Sequence, residues 1–447
     1  MAPVLLRGGS LIDGTGAGPR RADVVIDDGI ITKVAEPGSS VAAGPTGSEK
    51  GPGPATVVDV SGLTVLPGLI DTHTHVTLGE PASNDELFFH RQPALATLLA
   101  AFSVGKILRA GVTSIMDVDG LFDIGPALRD AIAAGLVEGP TMKSGLYALM
   151  TAVGGTAGRM IPGQGTAGYA EVTRNRDEMV TATRRQIKDG ADLVKIHVTG
   201  SVPTRRGELQ VWTLDELKTV VDTAHDLDTP VVAHCRNAGS TRDAARAGVD
   251  IIYHASYMDD EALDAVVESG ALLGPVFTFL ANLADYGPKV GSPVTALDVF
   301  RNEIESTGLM MRQAYDAGVP LICGSESGFI ITPYGHWHAR EMEIFVEVLG
   351  LSPLEAITCG TRNGALAMGE LDRTGTVEIG KRADILVVDG DPQRDISLLG
   401  DRSRFKRLYC RGREVDLDRP WPQRPPLPGE RVVPWAADPL TWDLVRP

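Results

Sequence analysis

Between Thr64 and Asp372 two textures alternate, and that alternation constrains the fold more than any other feature of the chain. Short runs rich in β-branched residues lie at Val65–Asp71, Thr113–Val118, Thr141–Ser144, Leu193–Val198, Val231–His234, Ile251–His254, Ala271–Val276 and Val319–Cys323. Longer stretches with helical spacing separate them, for example Asp177–Lys188, Leu214–Asp226, Asp259–Glu268, Val299–Ala317 and Arg340–Leu349. Parallel strands need a crossover long enough to hold a helix, so this repetition predicts βα units and a parallel sheet. Gly190, Gly248, Gly270, Gly318 and Gly350 follow helical stretches, where a left-handed residue ends the last turn. Eight runs over roughly 300 residues fit a (β/α)8 TIM barrel better than an open doubly wound sheet. No Gly-x-Gly-x-x-Gly follows the early runs to support a dinucleotide-binding fold.

The flanks read differently. Val4-Leu5-Leu6, Asp23-Val24-Val25-Ile26 and Ile30-Ile31-Thr32-Lys33-Val34 alternate apolar and polar positions around Gly and Asp, an antiparallel pattern. The same texture returns after Asp372, in Gly375–Gly380, Ala383–Asp389, Arg404–Tyr409 and Glu414-Val415. Pairing the two sets gives a small β-sandwich built from both termini. The expected organisation is therefore 1–63 and 373–418 as the two parts of that sandwich and 64–372 as the barrel. Residues 37–56, rich in Gly, Pro, Ser and Ala, read as a flexible loop that buries too little to offset its ordering entropy. Residues 419–447 hold eight prolines and three tryptophans and read as an extended tail laid over a surface.

Charge narrows the partners. The 447 residues carry a net charge of −16 without blocks of Lys or Arg, so neither nucleic acid nor an anionic membrane is expected as a partner. No stretch approaches the roughly 20 apolar residues of a bilayer span. The opening Met-Ala-Pro-Val-Leu-Leu-Arg lacks the basic region and long apolar core of a signal peptide, so the expected location is cytoplasmic. Cys235, Cys323, Cys359 and Cys410 lie far apart, with no Cys-x-x-Cys pair, and read as small buried hydrophobes. A homo-oligomer is compatible with an acidic barrel.

In such a barrel the chemistry sits at the C-terminal ends of the strands. The first run ends Asp71-Thr72-His73-Thr74-His75, and two histidines two residues apart on a strand face the same way and can share one metal. The fourth run ends in Lys195-Ile196-His197, the fifth in His234, the sixth in His254, and the eighth leads into Ser325-Glu326. Neutral imidazoles and a carboxylate suit Zn²⁺ or a related divalent ion. A lysine buried beside a metal loses its charge through desolvation and like-charge repulsion. Neutral Lys195 can then take up CO2 as a carbamate, an anionic ligand able to bridge two metals.

These residues resemble the metal-dependent amidohydrolase superfamily, in its imidazolonepropionase-like and Xaa-Pro-dipeptidase-like branch. The resemblance runs through Leu11–Gly14, Leu66–His75, Ala110–Thr113, Gly190–Ile196, Val232–His234, Ala247–Asp250, Tyr253–Ala255 and Gly380–Ile385. It implies that His73, His75, Lys195, His234 and His254 are metal ligands, with Lys195 carbamylated, around two divalent ions, zinc being the first choice. Where the family usually reads Gly-Thr-Asp, this chain has Gly324-Ser325-Glu326, so Glu326 stands for the aspartate that touches the metal and shuttles the proton. Where dipeptidase-like relatives carry Gly-Gly-His, it has Gly154-Gly155-Thr156, which argues against ordinary dipeptide binding.

The expected activity is hydrolysis of an amide or peptide-like C–N bond in a small molecule or modified peptide. A hydroxide shared by two metals attacks the carbonyl, and Glu326 passes the proton to the leaving nitrogen. His197, His336, His338 and Tyr147 are the candidates for substrate contact, with His90 and Arg91 behind them. His225 sits on a helical stretch and reads as surface, and Arg205-Arg206 as a solvated loop. Two alternatives stand: a mononuclear deaminase or cyclic amide or amidine hydrolase, and a catalytically inactive barrel that serves as a binding protein.

Overall fold

The terminal segments pair as their period-two alternation requires. β1 (Val4–Leu11) takes β2 (Arg20–Asp27) antiparallel on one side and β4 (Thr56–Asp59) and β5 (Thr64–Pro67) parallel on the other, with β3 (Ile30–Ala35) against β2. These observations come from a computed structural model that describes residues 2–38, 55–82, 92–155, 168–203, 207–292, 297–425, 436 and 438–446. Most of the expected flexible loop at 37–56 lies outside the described residues.

After β5 the chain passes through Gly68 directly into β6 (Leu69–Thr74). A Cβ at Gly68 would stand 2.3 Å from the side chain of Thr113 on the neighbouring strand, so glycine is required for the approach. β6 pairs in parallel with β7 (Val112–Asp117), and β7 with β8 (Thr141–Ser144). A second parallel sheet comprises β9 (Ala148–Thr151), β10 (Ala170–Thr173), β11 (Val194–His197), β14 (Val231–Cys235), β15 (Ile251–His254) and β16 (Leu272–Gly274), in the order β10-β9-β11-β14-β15-β16. A hairpin of β12 (Thr199–Pro203) and β13 (Glu208–Gln210) rises after β11.

Hydrogen bonds also run from one parallel sheet to the other at both edges. Asp192 N donates to Ser144 O (2.7 Å), Ile322 N to Leu273 O (2.9 Å) and Thr72 N to Cys323 O (2.9 Å). The expected strand Val319–Cys323 is present only as the isolated bridge Leu273–Leu321, because Pro320 has no N–H to give to a ladder. Nor does Gly375–Gly380 form a strand; Val377 N instead donates to Asp13 O at 2.9 Å.

The last strands return to the first sheet. β17 (Ile385–Val388) pairs antiparallel with β5, then with β18 (Phe405–Cys410), which pairs with β19 (Arg413–Glu414). Alternation divides this sheet's faces. Val65, Ile385, Val387 and Tyr409 share one apolar cluster with Leu6, Val24 and Ile31, whereas Leu66, Leu386, Val388 and Leu408 join the main core.

The parallel strands alternate in the same way. Ile70, Met116, Val232, Ile251, Tyr253 and Ile322 form one cluster, and their sequence neighbours Leu69, Ile115, Val231, Ile252 and Leu321 pack into the main core. Helices begin close behind the strand ends and are capped there. Thr213 and Glu216 form a capping box on Leu214–His225, and Asn237 caps Ala238–Ala247 by accepting from Ser240 N. Gly248 closes the latter helix at φ 90°, the conformation the sequence predicted. Among the described residues no helix is long and apolar enough to cross a membrane.

The tail lies over the segment after Glu326. Trp337 Nε1 donates to Leu440 O, Leu440 N donates to Ile330 O (3.1 Å), and Arg446 pairs with Glu343 at 2.6 Å.

Candidate active site

The site is built outward from the end of β6. Asp71, buried there, accepts from His73 N (3.1 Å) and from Ser325 N (3.0 Å), which ties β6 to the segment that carries Glu326. Glu326 N in turn donates to His73 O at 2.9 Å. The pairing register shifts between Asp71 and Thr74, and this breaks the alternation where His73 sits. On β15 the alternation would turn His254 away from Tyr253, but His254 leaves the strand at φ 66°. Glu326 has φ 54° and Val276 φ 53°. Left-handed backbone at non-glycine residues costs on the order of 1–3 kcal/mol and concentrates at functional sites.

Ligand-capable atoms of His73, His254 and Glu326 all lie within 4.8 Å of one another. The other expected residues gather round them. The ring centroid of His73 is 5.0 Å from that of His75 and 5.6 Å from that of His254; His254 is 4.5 Å from His234, and His234 5.3 Å from His197. Lys195 Nζ lies 5.0 Å from the ring centre of Tyr253, whose edge meets His73. Lys195 and His197 share a face of β11, as the strand period dictates.

Three of the residues expected to contact substrate make contacts of their own. Both ring nitrogens of His338 are engaged, Nδ1 with Asp71 (2.6 Å) and Nε2 accepting from Gly335 N (2.9 Å). Tyr147 lies over Arg185 of the helix Arg176–Lys188, among Asp123, Glu171 and Asp189. His336 accepts from Trp442 N and lines a separate cavity of about 500 Å³ with Lys106, Arg402 and Trp421. His225 pairs with Asp250 on the surface, as expected. His90, Arg91, Thr156 and Arg205-Arg206 lie outside the described residues.

Sequence reasoning missed Asp119, Glu208 and Arg236. Asp119 Oδ2 meets His197 Nε2 at 3.0 Å, and its carbonyl accepts from His75 Nδ1 at 2.9 Å. Glu208, on β13, meets His234 Nε2 at 2.9 Å and accepts from Thr199 Oγ1 at 2.8 Å. Arg236 pairs with Glu303 at 2.7 Å and stands 3.8 Å from Glu208. The strand-end rule applied to carboxylates would have pointed to Asp119; the hairpin that delivers Glu208 left no comparable signal.

Burial dominates the electrostatics. It holds His73 and His254 far below the usual imidazole range, helped at His73 by Lys195 and at His254 by His234, and it brings His234 down to about 4 against the pull of Glu208. Burial also lowers Lys195 against Asp119 and Glu326, and raises Glu326 to about 7 against Arg236 and Lys195. Burial works against ionised Glu208, but His234 and then Arg236 bring it down to about 2. A buried, neutral imidazole is the form that binds a metal.

The donor set fits a divalent cation. His73 Nδ1 and His254 Nε2 are buried and have no hydrogen-bond partner among the described residues, which a metal would supply. Imidazole and carboxylate together suit Zn²⁺ and its neighbours in the first transition row.

The model of the amidohydrolase family matches residues 64–415. The chain belongs to that family. This amidohydrolase is 27% identical over 432 residues to the ochratoxinase of Aspergillus niger, covering 92% of this chain and 86% of that one. An imidazolonepropionase of Thermoplasma volcanium is 23% identical, with 88% and 89% covered. Among solved structures, a Xaa-Pro dipeptidase with bound methionine is 28% identical, at a TM-score of 0.78 over 93% of this chain and 100% of that one. The A. niger ochratoxinase structure superposes at 0.79, with 25% identity, over 92% and 95%. The amidohydrolase is thus a hydrolytic enzyme among relatives that include amide and peptide hydrolases.

Proposed function

We propose that this amidohydrolase hydrolyses an amide or peptide-like C–N bond of a small molecule or modified peptide. The convergence of His73, His254 and Glu326 within 4.8 Å, with buried histidine nitrogens left unpartnered, carries this reading. The scaffold we propose for it is a (β/α)8 barrel over 64–372, the two parallel sheets closed by the edge hydrogen bonds described above. Residues 1–63 and 373–418 form a β-sandwich beside it, and 419–447 a tail.

The ligand set would be His73, His75, Lys195 as a carbamate, His234, His254 and Glu326, holding two divalent ions with zinc the first choice. Ions bound there supply Lewis-acid activation of water and of the scissile carbonyl. Glu326 would supply the proton traffic: its carboxylate can accept a proton from the attacking water and return it to the leaving nitrogen. His197 lies against His234 and offers a polar contact for substrate. The family's name and the named relatives support the bond class, and the ochratoxinase and dipeptidase likenesses favour amides.

A second arrangement uses the same residues. In it Lys195, 3.8 Å from Asp119 Oδ1, would stay an unmodified ammonium, and a single ion would sit on His73, His254 and Glu326. That site would serve a deaminase or a cyclic amide or amidine hydrolase. Metal removal followed by Zn²⁺, Mn²⁺ or Co²⁺ addition, assayed on N-acyl amino acids, dipeptides and cyclic amides, tests both. Restored cleavage of linear amides with two ions per chain is the expected result. Full turnover of the metal-free protein would end the metal mechanism, and one ion with cyclic substrates would favour the second arrangement.

A further inference from the structure

We propose that Asp119 is a further ligand of the metal centre, adding a carboxylate oxygen beside His75 and Lys195. The inference rests on the two-metal reading above and extends it to a residue outside the expected ligand set. Asp119 follows β7, is wholly buried, and leaves Oδ1 without a hydrogen bond among the described residues. Its other oxygen is committed to His197. His75 Nδ1, although 3.3 Å from Oδ1, donates to the Asp119 carbonyl instead. That hydrogen bond leaves His75 Nε2 as its ligand atom and fixes the ring beside Oδ1.

Charge makes the case. A buried carboxylate needs a cation, and Lys195 Nζ, 3.8 Å from Oδ1, is the one that faces it. Carbamylation joins a CO2 carbon to Nζ with loss of two protons from the ammonium, which converts that cation into a second anion. The buried Asp119 carboxylate would then need a different positive charge, which an ion on the carbamate would supply. If Lys195 is a metal-bridging carbamate, Asp119 Oδ1 therefore faces the same ion.

The test compares full-length wild type with Asp119→Asn and Asp119→Glu. Elemental analysis after dialysis against graded chelator, and the visible absorption of the Co²⁺-loaded proteins, are the readouts. Wild type should hold two ions per chain. Asp119→Asn should hold one, or release the second at an at least tenfold lower chelator concentration, with altered Co²⁺ bands, and Asp119→Glu should recover part of the retention. Unchanged stoichiometry, retention and bands in folded Asp119→Asn would overturn the proposal, as would a drop in thermal stability alone. If neither variant folds, a structure of the metal-loaded wild type decides. An Asp119 Oδ1–metal distance of about 2.0–2.2 Å is expected, and a separation beyond about 3 Å overturns it. A wild type that binds no ion would remove the two-metal reading itself, an outcome visible before any variant is compared.

Discussion

At the scale of single residues, the acid–base role proposed for Glu326 is open to direct measurement. Glu326→Gln keeps the size of the side chain but cannot take a proton. It should lower kcat by about 10²–10⁴-fold with a much smaller change in KM, measured by steady-state kinetics on the best amide substrate. His336 makes a different prediction, because it lies in the tail-covered cavity rather than among the ligands. Burial lowers its pKa to about 3, below the ordinary 6.5. Between those values the unfolded chain binds more protons than the folded one, so this contribution is complete above pH 6.5 and is lost as the pH falls toward 3. His336→Asn should therefore lose less stability than wild type between pH 7 and 4.5. A difference on the order of 2–3 kcal/mol is expected from paired denaturation curves at the two pH values. The buried ligand histidines act in the same direction in both proteins and cancel in the comparison.

The histidines were legible for a reason of number. The chain has 9 histidines, so several of them at predicted strand ends is a signal; it has 58 Asp and Glu, so one more carboxylate at a strand end is not. Asp119 stayed hidden for that reason and Glu208 because it sits on an unpredicted hairpin, although each touches a histidine of the cluster. For Tyr147, His336 and His338, position in a loop did not reveal which way each side chain turns. His338 is turned by Asp71, and His336 meets the tail.

At the scale of elements, strand positions followed directly from apolar period. Thr141–Ser144 and Ile251–His254 have the bounds their sequence predicted. Val319–Cys323 had the composition of a strand but makes a single bridge, since a ladder also needs the N–H that Pro320 lacks. The 4-residue strands β9 and β10 were not among the predicted runs. Gly68 offers the sharpest test here. Gly68→Ala would drive a methyl into Thr113 and should destabilise the protein by about 1–3 kcal/mol in chemical denaturation, the usual cost of overpacking. Shortening the partner in Gly68→Ala/Thr113→Ser should recover part of that loss, because Thr113 Cγ2 is among the atoms met.

At the scale of the whole molecule, a metal that binds the folded chain and ignores the unfolded one must raise the melting temperature. A free ion concentration 100 times Kd adds about 2.7 kcal/mol, equivalent to several degrees, and calorimetry of the loaded and stripped protein measures it. An increase that persists with His73 and His254 both replaced by alanine would place the ion elsewhere.

The passage of β5 through Gly68 into β6 has one more consequence. The polypeptide that crosses the outer sheet is the same uninterrupted ribbon that ends in His73 and His75, so strain applied to one is delivered to the other without a hinge between. Cutting the chain there and rejoining its ends elsewhere would unmoor both imidazoles, whereas a new terminus in an exposed turn would leave them anchored. The outer sheet is thus the foundation on which the first two donors stand, and a minimal catalytic fragment trimmed to the parallel strands would lose its footing.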